Sequence, residues 1–181
     1  MRNGEIFARC PAENVATPGP DCGMAVSRFH CCAKTLPCCM SANVFSHQYR
    51  VPYADCTLGN HVYYARYLNL LEGVRGEFFR SLGVTLLQWQ ERGTVFPVIE
   101  ARLRYKAPAR YDDVLTTEIW PTAVERIRLN FAYRVVNQVS GLILEAETQH
   151  VCTALNEKPK RLPEDLAAAL QPYVRSVQAV A

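Results

Sequence analysis

Apolar residues recur at Tyr64, Tyr67, Leu68, Leu71, Val74, Phe78 and Leu82. Steps of three and four residues are the period of one helix face, so a long helix is expected here. Asn60 offers its N-cap, and Gly83 ends it. Gly73 and Gly76 inside the helix would each cost about 1 kcal/mol against alanine. A missing Cβ permits close approach of another backbone, which is the expected reason for both. Before the helix, "FSHQYRVPY" (45–53) reads as a first strand with Pro52 at an edge or bend. "ADCTLGN" (54–60) is a turn-rich link.

The spacing changes after a short helical piece at "TLLQWQERG" (85–93). In "VIEARLRY" (98–105), Ile99, Ala101, Leu103 and Tyr105 alternate with Glu100, Arg102 and Arg104. That period of two predicts a half-buried strand. "VLTTEIW" (114–120), "IRLNFAYRVV" (127–136) and "LILEAETQHVCTAL" (142–155) predict three more, and "PEDLAAALQPYV" (163–174) a C-terminal helix. Short links between long strands favour antiparallel pairing. The fold class is therefore α+β: one long helix beside an antiparallel sheet of about five strands. So small a sheet leaves a helix face or a sheet edge bare, which calls for a second copy of the chain.

Composition narrows the function classes. The chain has 181 residues, 49% hydrophobic and 20% charged, with a net charge of +3. Those values fit one globular domain, or one domain with a tail. Lys and Arg are scattered, so no nucleic-acid-binding face is expected. No run of about 20 apolar residues spans a membrane, and no apolar stretch at the N-terminus marks a secretory signal. Six of the eight cysteines, Cys10, Cys22, Cys31, Cys32, Cys38 and Cys39, precede Met40. Their spacing matches no usual zinc pattern. Residues 1–39 are read as a poorly ordered extension, translated from an upstream start, with the domain at 40–181.

The stretch "YADCTLGNHVYYARYLNLLEGVRGEFFRSLG" followed by "YKAPARYDDVL" resembles the hotdog-fold acyl-CoA thioesterases of the 4-hydroxybenzoyl-CoA thioesterase type. The resemblance covers residues 46–156. It implies a hotdog fold, in which the sheet wraps the long helix, and a cytoplasmic homodimer or homotetramer with sites at subunit interfaces. It also implies an acyl-CoA substrate, no metal and no prosthetic group. The family places its catalytic acid at the second Asp of an Asp-x-Asp. Here Asp55 is the first, Cys56 the middle, and Thr57 stands at the second position. A threonine hydroxyl is too weak an acid to serve as an anionic base near neutral pH.

Thioester hydrolysis needs a carboxylate to activate water or to attack the carbonyl. It also needs donors for the oxyanion. Unpaired amides at a helix start are such donors, which marks Asn60, His61, Val62 and Tyr63. For the carboxylate, Asp55 competes with Glu72. Asp55 is also a residue that binds loop amides before a turn. Glu72 falls in a region where another branch of the family carries a catalytic glutamate, and it is also placed for ion pairs with Arg66 or Arg75. His61 is a third candidate, since imidazole titrates near neutrality; capping is its other role. Cys56 reads as an inert thiol. Lys106, Arg110 and Arg128 are candidates for CoA phosphates. Tyr63, Tyr64, Tyr67, Phe78 and Phe79 line either an acyl pocket or the core. The reading is an acyl-CoA thioesterase; the alternatives are an acyl-thioester binding protein that does not hydrolyse, or a thioesterase for acyl carrier proteins.

Overall fold

The computed structural model describes residues 43–175; the cysteine-rich extension read at 1–39 lies outside them. The described chain runs β1 (Phe45–Arg50), α1 (Arg66–Ser81), α2 (Leu86–Glu91), β2 (Val98–Tyr105), β3 (Val114–Val124), β4 (Arg128–Asn137), β5 (Gly141–Val151) and α3 (Glu164–Leu170). All five strands form one sheet in the order β1-β3-β4-β5-β2, every pair antiparallel. This is the α+β layer with a five-stranded antiparallel sheet that the periodicities predict.

Helix α1 buries Tyr67, Leu70, Leu71, Val74, Arg75, Phe78 and Phe79. Its two phenylalanines meet the Phe131 ring of β4 edge-on at 6.3 and 6.2 Å. Alternate residues Leu129, Phe131, Tyr133 and Val135 of β4 share the buried face, as the pleat requires. Burying a phenylalanine in such a core contributes about 1.5–3 kcal/mol. Gly83, with φ of 88°, follows the helix as expected. Thr85 caps α2 by accepting from the Gln88 amide at 3.2 Å, while its own amide donates to the Gln88 side chain at 2.8 Å.

One polar chain crosses this core. Arg75 Nη1 donates to the Tyr133 hydroxyl at 3.4 Å, which lies 3.2 Å from Thr148 Oγ1. Thr148 Oγ1 is 2.9 Å from His150 Nε2, and His150 Nδ1 is 3.1 Å from the Phe96 carbonyl. Burial first, and the Arg75 charge second, push His150 down to about 4, so its ring is neutral at pH 7. A carbonyl only accepts, so Nδ1 carries the ring proton and Nε2 accepts from Thr148. Thr148 then accepts from Tyr133, and Tyr133 from Arg75, which only donates.

Four expectations need correcting. The first strand ends at Arg50 rather than 53; Tyr53–Asp55 form a single 3-10 turn. Helix α1 starts at Arg66 with Ala65 as its N-cap, not at Asn60. Asn60 instead sits at φ 54°, in a tight turn closed by the Cys56–Val62 bridge. The expected burial of one face of β2 also fails. Ile99 and Tyr105 are exposed, because β2 is an edge strand and a register shift lies between Val98 and Glu100. Nor does another backbone approach Gly73 or Gly76: a Cβ at either would meet nothing within 4 Å.

Candidate active site

The strand β1 and the first turns of α1 enclose a half-open groove of about 280 Å³, lined by His47, Tyr49, Asp55, Arg66, Asn69, Leu70, Gly73 and Val74. Residues Phe45, His47 and Tyr49 alternate in β1 and share its more buried face, which puts His47 and Tyr49 on the groove wall. The 3-10 turn that follows β1 carries Asp55 to the groove mouth. There the Tyr49 hydroxyl donates to Asp55 Oδ2 in a short hydrogen bond. Arg66 Nε stands 3.5 Å from Asp55 Oδ1. Burial, then the bond to Asp55, pushes the Tyr49 phenol up to about 12, so it stays protonated and donates. Asp55 is thus fixed by a hydroxyl from a strand and a guanidinium from a helix, with its side chain 17% exposed.

The backbone around the turn is largely committed. The amides of Asn60, Val62 and Tyr63 donate to Thr57, Ala109 and Asp55 carbonyls at 2.9, 2.9 and 2.8 Å. The expected oxyanion donors there are therefore occupied, apart from His61. Among the described residues no acceptor takes the amides of Tyr64, Ala65 and Tyr67, which flank the true start of α1. The amides without acceptors thus lie about one helical turn beyond those that the turn signal marked.

The other candidates separate. Thr57 Oγ1 donates to the His61 carbonyl at 3.2 Å, a clamp within the turn. Asn60 Oδ1 accepts from the Tyr111 amide at 3.1 Å and joins two loops. His61 is exposed and its ring has no partner among the described residues. Glu72 is exposed too and forms neither expected ion pair: Arg66 goes to Asp55 and Arg75 to Tyr133. Cys56 is half-buried, and burial followed by the Asp55 and Asp113 charges pushes its thiol up, against a nucleophilic role. Tyr63 and Tyr64 pack on each other at 4.6 Å and are exposed, whereas Tyr67, Phe78 and Phe79 are core. Lys106 pairs with Glu145 at 3.1 Å. Arg110 and Arg128 are exposed; the Arg110 backbone amide donates to Asp113 Oδ2 at 2.8 Å.

Sequence reasoning missed Tyr49 and Asn69 as groove residues, and missed Arg66 as the partner of Asp55. The i, i+2 spacing of His47 and Tyr49 was a visible signal. The pairing across β1 and α1 was not, since it depends on tertiary packing.

The model of the thioesterase-like superfamily matches residues 51–170. The chain belongs to that superfamily. The acyl-CoA thioester hydrolase YbgC of Escherichia coli O6:H1 is 33% identical, over 71% of this chain and 97% of that protein. A 1,4-dihydroxy-2-naphthoyl-CoA hydrolase of Thermosynechococcus vestitus is 28% identical, over 69% of this chain and 87% of that one. Among solved structures, the 1,4-dihydroxy-2-naphthoyl-CoA thioesterase Slr0204 from Synechocystis superposes with a TM-score of 0.67 at 25% identity. It covers 71% of this chain and 96% of its own. This thioesterase-like chain shares the hotdog fold of that neighbour, as its sequence motifs imply.

Proposed function

We propose that this thioesterase-like protein hydrolyses acyl-CoA thioesters to a free acid and CoA, with Asp55 as the carboxylate. The observation that carries this is the fixing of Asp55 by Tyr49 and Arg66 at the mouth of a groove, beside the start of α1. The thioester carbonyl lies toward the amides of Tyr64, Ala65 and Tyr67, at the positive end of the helix dipole. Asp55 takes a proton as water adds to the carbonyl carbon. The tetrahedral oxyanion collapses, the C–S bond breaks, and the thiolate leaves with a proton returned to it. Hydrolysis proceeds with no cofactor in this scheme. Glu72 and His61, exposed beyond the groove lining, are secondary candidates for the same role.

The protein works as a homodimer built at β2. That edge strand leaves its backbone row and the side chains of Val98 and Ile99 uncovered, which invites a second copy to continue the sheet. Lys106, Arg110 and Arg128 supply cations for the CoA phosphates. A CoA-thioester substrate and, among the described residues, two free cysteines, Cys56 and Cys152, fit a reducing, cytoplasmic setting. Among the described residues no helix is long and apolar enough to cross a membrane.

Thiol release from a panel of short, long and aromatic acyl-CoAs tests the activity. Asp55→Asn, Glu72→Gln and His61→Ala, compared by kcat, assign the carboxylate. Loss confined to Asp55→Asn supports the reading, and full activity in that variant overturns it. The commitment of Thr57 to the turn, where relatives of this type are expected to hold an acid, motivates a second reading. That reading is a protein that binds acyl thioesters and leaves them intact; persistence of bound thioester over hours identifies it. Acyl-carrier substrates run beside acyl-CoAs separate a carrier-protein thioesterase.

A further inference from the structure

The Tyr105 hydroxyl donates to the Tyr64 carbonyl at 3.0 Å, and that bond has no task in the chemistry above. Tyr105 is the last residue of β2. Its ring meets the Tyr67 ring edge-on at 5.5 Å, and Tyr67 is buried in the first turn of α1. Just beyond it, the amides of Lys106 and Ala107 both donate to the Ile143 carbonyl of β5, at 2.8 and 3.3 Å. Tyr105 is thus anchored to the sheet through its backbone and to the helix through its ring. Burial, then Tyr64 beside it, pushes the phenol up, so the hydroxyl stays protonated and donates.

The acceptor decides what the bond can do. A peptide unit is planar and trans, so its carbonyl and its N–H point in opposite directions and turn together. The Tyr64 carbonyl shares its plane with the Ala65 amide, one of the three amides at the start of α1 that no acceptor takes among the described residues. The Tyr64 amide belongs to the preceding plane, whose Tyr63 carbonyl is held by the Arg66 amide at 2.9 Å. The Tyr67 amide lies within the helix itself. The plane between Tyr64 and Ala65 lacks a backbone anchor of that kind, because the Leu68 amide goes to the Ala65 carbonyl at 3.1 Å instead. The Tyr105 hydroxyl takes that place. It fixes the plane, aims the Ala65 N–H to the side opposite the hydroxyl, and polarises the peptide so that this N–H donates more strongly.

We propose that Tyr105 is a positioning residue, whose hydroxyl orients the Ala65 amide as a donor to the thioester oxygen. This rests on the placement of the thioester carbonyl at the start of α1. It deepens that reading by drawing the site from both edges of the sheet: Asp55 follows β1, and Tyr105 ends β2.

The test uses the full chain and Tyr105→Phe, which keeps the ring on Tyr67 and removes the hydroxyl alone. With the best acyl-CoA of the panel above, kcat should fall roughly 5- to 20-fold while KM stays within about 2-fold. Two analogues of hexanoyl-CoA that cannot be hydrolysed separate orientation from folding. One replaces the thioester sulfur by a methylene and keeps the carbonyl; the other replaces the carbonyl by a methylene as well. By calorimetry the wild type should prefer the carbonyl analogue. Tyr105→Phe should reduce that preference by roughly 5-fold and leave the Kd of the other analogue unchanged. An unchanged kcat, equal weakening of both analogues, or a preference that the variant keeps overturns the proposal. If the wild type hydrolyses no member of the panel, the hydrolase reading fails by itself. The Kd ratios then decide: a wild-type preference that Tyr105→Phe reduces sustains the positioning role, and a preference that is absent or unaltered sinks it.

Discussion

The Tyr49 hydroxyl donates to the Asp55 carboxylate from the neighbouring strand, while Arg66 Nε approaches the other carboxylate oxygen at 3.5 Å. Asp55→Asn keeps the shape and removes the carboxylate proposed as the base. Its kcat should fall by about 100-fold or more, with an unchanged far-ultraviolet dichroism spectrum. Tyr49→Phe should lose less, roughly 10-fold, since it frees the carboxylate without deleting it. A Tyr49→Phe loss as large as that of Asp55→Asn would mean that Tyr49 itself meets the substrate.

Thr57 holds its turn through the His61 carbonyl and is exposed. Thr57→Val should therefore leave kcat within about 3-fold and cost no more than about 1 kcal/mol of stability. Urea titration together with a thiol-release assay checks both. A large kcat loss in a variant of normal stability would give the hydroxyl a chemical role.

His150 makes stability depend on pH. Its folded value is lowered to about 4 from 6.5, so the unfolded chain binds the proton more readily between those values. Stability is then full above the unfolded value and falls as pH drops through 6.5 toward 4. Between pH 7.5 and 5 the loss from this group alone is about 2 kcal/mol. Urea midpoints across that range should show it, and His150→Gln should remove most of the slope.

Tyr133→Phe takes away the hydroxyl that accepts from Arg75 and donates toward Thr148. A buried guanidinium that loses its acceptor should cost about 1–3 kcal/mol, read as a lower midpoint in denaturant. Pairing Tyr133→Phe with Arg75→Met should recover part of the loss, because both ends of the bond then become apolar.

Ile99 stands 56% exposed on β2. Ile99→Lys should weaken self-association, seen as a shift from dimer to monomer in sedimentation velocity. An unchanged dimer would move the interface away from this edge.

The pattern of the chain carried most of the strands to within a few residues, because a period of two follows from the pleat alone. The same period misled at β2. Alternation in "VIEARLRY" looks identical whether a strand is covered or lies at an edge, and only the sheet order exposes Ile99 and Tyr105. Gly59-Asn60 similarly carries the mark of a helix cap. What turns it into a tight turn is the Val62 amide bonded to Ala109, nearly fifty residues away. Asp55 was legible as an acid before a turn, but its partners were not, since Tyr49 and Arg66 reach it from different elements. Glu72 looked equally good because another branch of the family carries a catalytic glutamate in that region; the ion pairs that were its other role go elsewhere, Arg66 to Asp55 and Arg75 to Tyr133.

The chain of groups from Arg75 to the Phe96 carbonyl runs in one direction only. At one end is a group that cannot take a proton, and at the other a group that cannot give one. No proton can hop along it and leave it as it was, so it is not a wire between the helix and the edge of the sheet. It acts as a strut. Protons for the hydrolysis proposed at Asp55 are not carried along it.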